Sequence, residues 1–353
     1  MTAKDTLMQF VPIIDEKLKQ YWEKEINLNF GFNQKQRYLV KKMLLHASEH
    51  NLRPAKRIRA AFVYYGYMLG KNPDENIWNA AMSVELVHTA LLMHDDFMDQ
   101  DEVRRGKLTT HKYFEDGDSH YGESMAVDIG DAVLELGHEL LLNSNFDPKL
   151  VLKANQKLMR GIANTAWGQA YDITVEKIID RCNEDDAMTV HKAKTAIYTY
   201  ENPLYIGAIL AGLSSDVLNV LTDYSMDGGV AFQLQDDILG VYGNPEKTGK
   251  SANSDLLQGK VTLLVLKTLQ DGTPQQIANL KKVWGHRSAE EMDINNAKQA
   301  IKDSGSLDYS IKISRELAHK AANTAQGLSK LNCNQEAVDF ISGVSEYMAN
   351  REL

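Results

Sequence analysis

Cysteine is nearly missing from this sequence: 353 residues carry two, Cys182 and Cys333, in no metal-ligand or redox spacing. That excludes a disulfide framework and makes a reducing cytosol the default setting. Proline is almost as scarce, seven in the whole chain, so long helices meet few interruptions. Long apolar runs are missing as well. Stretches such as VTLLVL at 261–266 are far too short to span a bilayer, and no integral membrane segment is expected. The start, MTAKDTLMQFVPIIDEKLKQYW, lacks an apolar core followed by a small-residue cleavage site, so no signal peptide is expected. The last residues, ANREL, carry no prenylation box. A soluble, cytoplasmic protein is the expectation. Basic charge is in deficit too: 39 Lys and Arg against 48 Asp and Glu give a net charge of −9. Nucleic acid is therefore not expected as a partner, because phosphate binding needs a basic surface.

What the sequence does have is helical periodicity. DENIWNAAMSVELVHTALLMHDDFM places Ile77, Ala80, Ala81, Val84, Val87, His88, Leu91 and Leu92 on one broad face. DPKLVLKANQKLMRGIANTAWGQAYDITVE reads the same way, with Asp147-Pro148 as its start signal. DVLNVLTDYSMDGGVAFQLQDDILGVYG follows, helical despite Gly228-Gly229 and ending near Gly243-Asn244-Pro245. No segment alternates with period two between hairpin turns. Loops are expected at 69–76, 114–122 and 243–255, none of them like an interdomain linker. The expectation is an all-α fold in a single domain, 1–353.

Four aspartates crowd into LLMHDDFMDQDEVRRGKLTTH: Asp95, Asp96, Asp99 and Asp101. Asp95 and Asp99 share one helix face, while Asp96 sits about 100° round. Like charges at that spacing destabilise a helix by a few tenths of a kcal/mol, so a solvated helix end is the plain reading. Three features favour a cation site instead. The cluster ends an apolar-faced helix; Arg104-Arg105-Gly106 follows with two forks suited to phosphate; and a second pair, Asp236-Asp237, lies in the apolar helical stretch FQLQDDILG. Hard oxygen donors without cysteine or a histidine pair favour Mg²⁺, which keeps waters and bridges to substrate phosphates. Further cations stand at Lys56, Arg57 and Arg59, at Lys194, and at Lys247, Lys250 and Lys260. Together they point to a diphosphate site. No Gly-x-x-x-x-Gly-Lys-Ser/Thr loop is present, which sets aside a P-loop nucleotidase.

The chain resembles the trans-isoprenyl diphosphate synthases, the polyprenyl synthetase family. HDDFMDQDEVRRGKLTTH is similar to its first aspartate-rich motif, DDxxD followed by RRG, and FQLQDDILGVYGNPEKTGKSANSDLLQGK to its second. VELVHTALLMHDD and GQAYD stand in their places between about 50 and 265. The resemblance implies a bundle of long, mostly antiparallel helices around a central cavity and a Mg²⁺-dependent prenyltransferase. Its substrates would be isopentenyl diphosphate and an allylic diphosphate: dimethylallyl, geranyl or farnesyl. Three Mg²⁺ ions are implied, two on Asp95 and Asp99 and one on Asp236, with Asp96 and Asp237 supporting the water shell. Arg104, Lys194 and Lys250 would grip the allylic diphosphate, with Lys260 nearby. Lys56, Arg57, Arg59, His88 and Arg105 would bind isopentenyl diphosphate. Thr195 and Gln233 would steady the intermediate cation. Homodimers are usual in the family.

Two departures stand out. Pro54-Ala55-Lys56-Arg57 replaces the family's usual Gly-Gly-Lys-Arg, and the second motif ends in Gly240, the DDxxG form of many actinobacterial-type geranylgeranyl diphosphate synthases. The product tail is expected to run beneath Asp95 toward the helix start, where a turn of about 5.4 Å matches one isoprene unit. Val87, Ala90 and Leu91 are the chain-length residues on that path. An aromatic four or five positions before the first aspartate stops elongation early in this family; Leu91 and Ala90 are not aromatic, so the twenty-carbon product is expected. The alternatives are a fifteen-carbon product, twenty-five carbons or more, a terpene cyclase, or the non-catalytic subunit of a heteromeric synthase.

Overall fold

Helix starts along this chain are fixed by side chains. In the computed structural model, which describes residues 2–28, 31–243 and 253–351, Thr2 accepts a bond from the Asp5 amide and Asp5 returns one, opening α1 (Ala3–Glu25) with a capping box. Asn33 and Gln36 do the same for α2 (Gln34–Asn51). The described residues are 78% helical, against roughly a third in average globular proteins, and the fold is all-α. The only strands among the described residues are β1 (Val103–Arg104) and β2 (Lys107–Leu108), paired antiparallel. The sequence carries no sign of them because two residues per strand leave no room for alternation.

Two compact units divide the chain: Met1–Gln156 with Ile206–Gly212, and Lys157–Tyr205 with Leu213–Leu353. In the first, α1 and α2 are followed by α3 (Ile58–Met68), α4 (Ile77–Met98), the hairpin, α5 (Thr110–Phe114) and α6 (Ser119–Leu142). The loop expected at 114–122 is shorter than that, because Asp118 accepts the Tyr121 amide and starts α6. The chief packing is α4 against α6. A Cβ on Gly130 would stand 2.2 Å from the His94 ring, and one on Gly137 would stand 2.7 Å from Val87 Cγ2. Ser83 Oγ closes the seam by donating to the Gly137 carbonyl at 2.7 Å. The small residues of α6 thus let α4, which ends in the first acidic motif, sit against it without a gap.

The second unit takes most of α7 (Pro148–Val175), which starts where Asp147 accepts the Lys149 amide. Next come α8 (Glu184–Val190), a π-helix (His191–Glu201) and α9 (Asn202–Leu210), whose end returns to the first unit. The unit continues with α10 (Ser215–Tyr242), α11 (Ser254–Gln258), α12 (Leu263–Asp271), α13 (Pro274–Lys281), α14 (Glu291–Asp303), α15 (Ser306–Gln326) and α16 (Gln335–Ala349). Its axis is α10, which packs against α15, the π-helix and α16. Tyr224 on α10 is fully buried, and its hydroxyl donates to the Ile341 carbonyl at 2.7 Å while Ser345 donates to it at 2.9 Å. Burying such a ring contributes on the order of 2 kcal/mol, and the bonds fix α16 along α10. No described helix is long and apolar enough to cross a membrane.

Candidate active site

At the end of α4 the two adjacent aspartates part company. Asp95 keeps a quarter of its side chain exposed, and Asp99, one turn on, is also half-buried. Asp96 has no exposure at all and binds Arg104 Nε. Asp96 was expected to support a water shell; it faces the interior instead, and its contribution is to hold Arg104. The Arg104 Nη2 lies 3.8 Å from Asp95 and 3.7 Å from Asp101. Burial works against its charge, but the Asp96 and Asp95 carboxylates hold its pKa above the ordinary value.

A tight turn aims this arginine. Arg105 (φ 52°) and Gly106 (φ 75°) are both left-handed, the pattern of a two-residue type I′ hairpin. For Arg105 that conformation costs on the order of 1 kcal/mol. Arg53 holds the hairpin to α2, donating to the carbonyls of Arg104 at 3.0 Å and Leu108 at 2.8 Å. Arg53 also pairs with Glu49 one turn back at 2.9 Å, but the hairpin carbonyls it holds lie more than 50 residues on, and nothing local in the sequence marks that role.

The basic cluster lies in the same unit. Lys56 is exposed and Arg59 half-buried. Arg57 differs: it is 3% exposed, and its guanidinium donates to Asp15 (2.7 Å), Glu85 (3.1 Å) and the Asn51 carbonyl (2.7 Å). The expectation that Arg57 binds substrate is corrected here, because its donors are spent on the fold. The left-handed residue of this loop is Arg57 (φ 50°), not Pro54 or Ala55, so Pro-Ala serves where glycines are usual. His88 is held neutral far below the ordinary histidine range, by burial first and then by Arg59, Arg105, Arg104 and Arg57. Arg105 is pushed down to about 10 by burial and by Arg57 and Arg104. Guanidinium groups thus repel one another around a neutral imidazole, a field that favours an anion of more than one charge. Of the tail residues, Leu91 is half-buried and Ala90 fully buried. Val87 is fully buried and lies in the seam against Gly137.

The second acidic pair divides in the same way. Asp236 is about a third exposed, and Asp237 is buried. Close backbone approaches set their surroundings. A Cβ on Gly168 of α7 would stand 2.8 Å from the Lys194 nitrogen, and one on Gly229 of α10 would stand 2.4 Å from Ala196 Cα. Those two glycines admit the π-helix and so place Lys194 and Thr195; π-helical turns are rare and gather at functional sites. Lys194 Nζ lies 2.9 Å from Asp172, and Lys260 Nζ lies 3.6 Å from Asp172 and 3.3 Å from Glu176. Thr195 donates to Gln233 Oε1 at 2.7 Å, and Gln233 donates to Asp237 Oδ1 at 2.8 Å. Asp237 does not stand open to a water shell either.

Three participants escaped the sequence reading. Asp172, the aspartate of GQAYD, ties two lysines together. His191 precedes Lys194 by one helical turn, and its Nε2 is 3.2 Å from Asp237. Arg351 donates to Asp236 Oδ1 at 2.6 Å, a contact made only because α16 docks on α10. Gly240 also has its reason: a Cβ there would meet Asp255 Oδ2 at 2.2 Å, so a carboxylate from α11 fills the space of the missing side chain. Lys247 and Lys250 lie outside the described residues. Among the described residues no three His, Cys, Asp or Glu side chains gather to hold a metal. The part-exposed carboxylates of Asp95, Asp99 and Asp236 fit magnesium, which takes one or two carboxylates and completes its shell with waters and substrate phosphates.

A model of the polyprenyl synthetase family matches residues 41–301. The geranylfarnesyl diphosphate synthase of Aeropyrum pernix is 32% identical over 274 residues, covering 77% of this chain and 81% of that protein. The short chain isoprenyl diphosphate synthase of Methanocaldococcus jannaschii is 32% identical over 293 residues, covering 82% of this chain and 81% of that one. Among solved structures, a geranylgeranyl pyrophosphate synthase from Corynebacterium glutamicum, complexed with isoprenyl diphosphate and magnesium, superposes with a TM-score of 0.88 at 26% identity. It covers 98% of this chain and 99% of its own.

Proposed function

Because this chain belongs to the polyprenyl synthetase family and is a prenyltransferase that lengthens isoprenyl diphosphates, we propose the following reaction. It condenses isopentenyl diphosphate head to tail (1′-4) with dimethylallyl, geranyl or farnesyl diphosphate and releases geranylgeranyl diphosphate. The observation that carries this reading is the surplus of guanidinium groups around neutral His88, beside part-exposed carboxylates suited to magnesium.

Asp95 and Asp99 would hold two magnesium ions and Asp236 a third. Bound there, magnesium neutralises the charge that gathers on the leaving diphosphate. Arg104, Lys194 and Lys250 grip that diphosphate, with Lys260 near it, so fixed positive charge stands where negative charge develops. Lys56, Arg59, His88 and Arg105 bind the diphosphate of isopentenyl diphosphate; His88, being neutral, donates one hydrogen bond. The Thr195 hydroxyl oxygen and the Gln233 amide face the allylic cation, and neither is basic enough to trap it. The departing diphosphate takes the proton when the new double bond forms.

Leu91, half-buried on the Asp95 side of α4, leaves the tail room where an aromatic ring would stop it, which supports the twenty-carbon product. The exposed Leu152, Met159 and Trp167 of α7 (55%, 54% and 71%) support a homodimer, since large exposed apolar groups on one helix suit a second chain. The free thiols of Cys182 and Cys333 suit a reducing cytoplasm.

The test is incubation with isopentenyl diphosphate and each allylic primer, with and without Mg²⁺, products being resolved by mass. A Mg²⁺-dependent series ending at twenty carbons is expected. An end point at fifteen, or beyond twenty-five, would keep the reaction and remove the role of Leu91. A cyclic hydrocarbon from farnesyl diphosphate alone would overturn the reading.

A further inference from the structure

The hairpin that carries Arg104 and Arg105 is tied to Glu49 and Arg53 at the C-terminal end of α2. Arg53, 3% exposed, spreads its guanidinium so that Nη1 donates to the Arg104 carbonyl at 3.0 Å and Nη2 to the Leu108 carbonyl at 2.8 Å. Glu49 receives Arg53 Nη2 at 2.9 Å and, from the hairpin side, Lys107 Nζ at 2.6 Å. Arg105 Nη1 in turn donates to the Arg53 carbonyl at 3.4 Å. The two hairpin arginines differ in what else holds them. Arg104 has the Asp96 carboxylate on its side chain. Arg105 stands in a left-handed backbone (φ 52°), buried with the Arg57 and Arg104 charges against it. Backbone strain of that kind persists only where neighbouring structure holds it, and like charges push the guanidinium outward.

We propose that Glu49 and Arg53 are positioning residues for isopentenyl diphosphate: by fastening the hairpin to the end of α2 they keep Arg105 on that substrate, while Arg104 keeps its own place through Asp96. The fork matters more than the charge. A planar guanidinium reaches two carbonyls and a carboxylate at once, whereas a lysine at 53 keeps the pair with Glu49 but brings a single point of donation. A displaced Arg105 weakens the bound ground state and the transition state alike, so the loss enters KM and leaves kcat. This inference rests on the reaction proposed above, with Arg105 binding isopentenyl diphosphate.

Its test is steady-state kinetics of the full chain with Mg²⁺, each substrate varied at saturation of the other, beside urea titration. For Arg53→Lys we expect about tenfold higher KM for isopentenyl diphosphate, with kcat and the allylic KM kept within about twofold. Arg53→Met repeats this with an earlier urea midpoint, and Arg53→Lys serves alone if Arg53→Met does not fold. Glu49→Gln, which leaves Arg53 its two carbonyls, gives a smaller rise in the same KM. The decisive variant is the double one. Once Arg105→Met has removed the guanidinium, Arg53→Lys should add nothing further to that KM, because the two residues act as a unit. An unchanged KM for isopentenyl diphosphate in Arg53→Lys, an equal rise in both KM values, a fall in kcat alone, or additive losses in the double variant overturns the inference, and each leaves wild-type turnover intact. A wild-type chain that makes no product from the two substrates removes the reaction reading, and the inference with it.

Discussion

Two acidic pairs of the same form, Asp95-Asp96 and Asp236-Asp237, are wired to opposite electrostatic ends. Around the first, the buried member is spent on Arg104, and in the same unit burial, with Arg57 and Arg104 beside it, pushes Arg105 down to about 10. Around the second, Lys194 has Asp172, Lys260 has Asp172 and Glu176, and Asp236 has Arg351. In the first region arginines crowd a buried histidine; in the second the lysines named here sit on carboxylates.

The largest effects lie at the exposed carboxylates. Asp95→Ala and Asp236→Ala should each lower kcat/KM on the order of 10³-fold, with helical circular dichroism unchanged. Asp96→Ala should also unfold more readily, by about 3–5 kcal/mol, because it strands a buried guanidinium. Equal stability of Asp95→Ala and Asp96→Ala in urea titration would erase the distinction between the exposed and the buried member.

Next in size is the separation of Lys56 from Arg57. Arg57→Met leaves Glu85 buried without its partner and should cost about 3–5 kcal/mol in urea, with little change in KM among molecules that remain folded. Lys56→Met should raise the KM for isopentenyl diphosphate about tenfold and leave the urea midpoint alone. Reversed results would return Arg57 to the substrate.

The contrast also has a pH signature. In the first unit burial lowers His46 to about 3, and it lowers His50 and His88 as well. Folded-state values below the unfolded value of about 6.5 mean that the unfolded chain takes up protons first as pH falls. The stability is complete above about 6.5 and is lost below it, by about 1.4 kcal/mol per pH unit for each histidine that stays neutral. Hydrogen exchange, corrected for intrinsic rates, should lose protection in α2 and α4 before α10 between pH 7 and 5.5. A uniform loss would show that the two units open together.

Much of this was legible in the residues. The three long windows became α4, α7 and α10, since a 3.6-residue apolar period needs nothing beyond its own segment. The first DDxxD and the RRG turn stand out because each motif carries its chemistry locally, whereas only the family resemblance singles out Thr195. What could not be read depends on distant packing. Arg57 looks like any loop arginine until Asp15 and Glu85 close on it. Gly240 reads only as a departure from the motif until Asp255 is seen to take its space.

The smallest effect is at Arg351, where the ion pairing of the second region can be loosened with one side chain. Its guanidinium lies 2.6 Å from Asp236 and 5.0 Å from the Phe232 ring centre, and Gln235 donates to its carbonyl at 2.8 Å. The Asp236 carboxylate is a third exposed, so solvent screens the pair and its worth is about 0.2–1 kcal/mol. Arg351→Ala removes the competing cation and should lower the Mg²⁺ concentration for half-maximal rate by about two- to fivefold, with kcat held at saturating Mg²⁺. Asp15→Ala, which loosens an ion pair in the first unit, should leave that requirement where it is. A rise in the Mg²⁺ requirement of Arg351→Ala would mean that the arginine grips diphosphate rather than holding the place of a metal ion, and the contrast with the first region would then narrow.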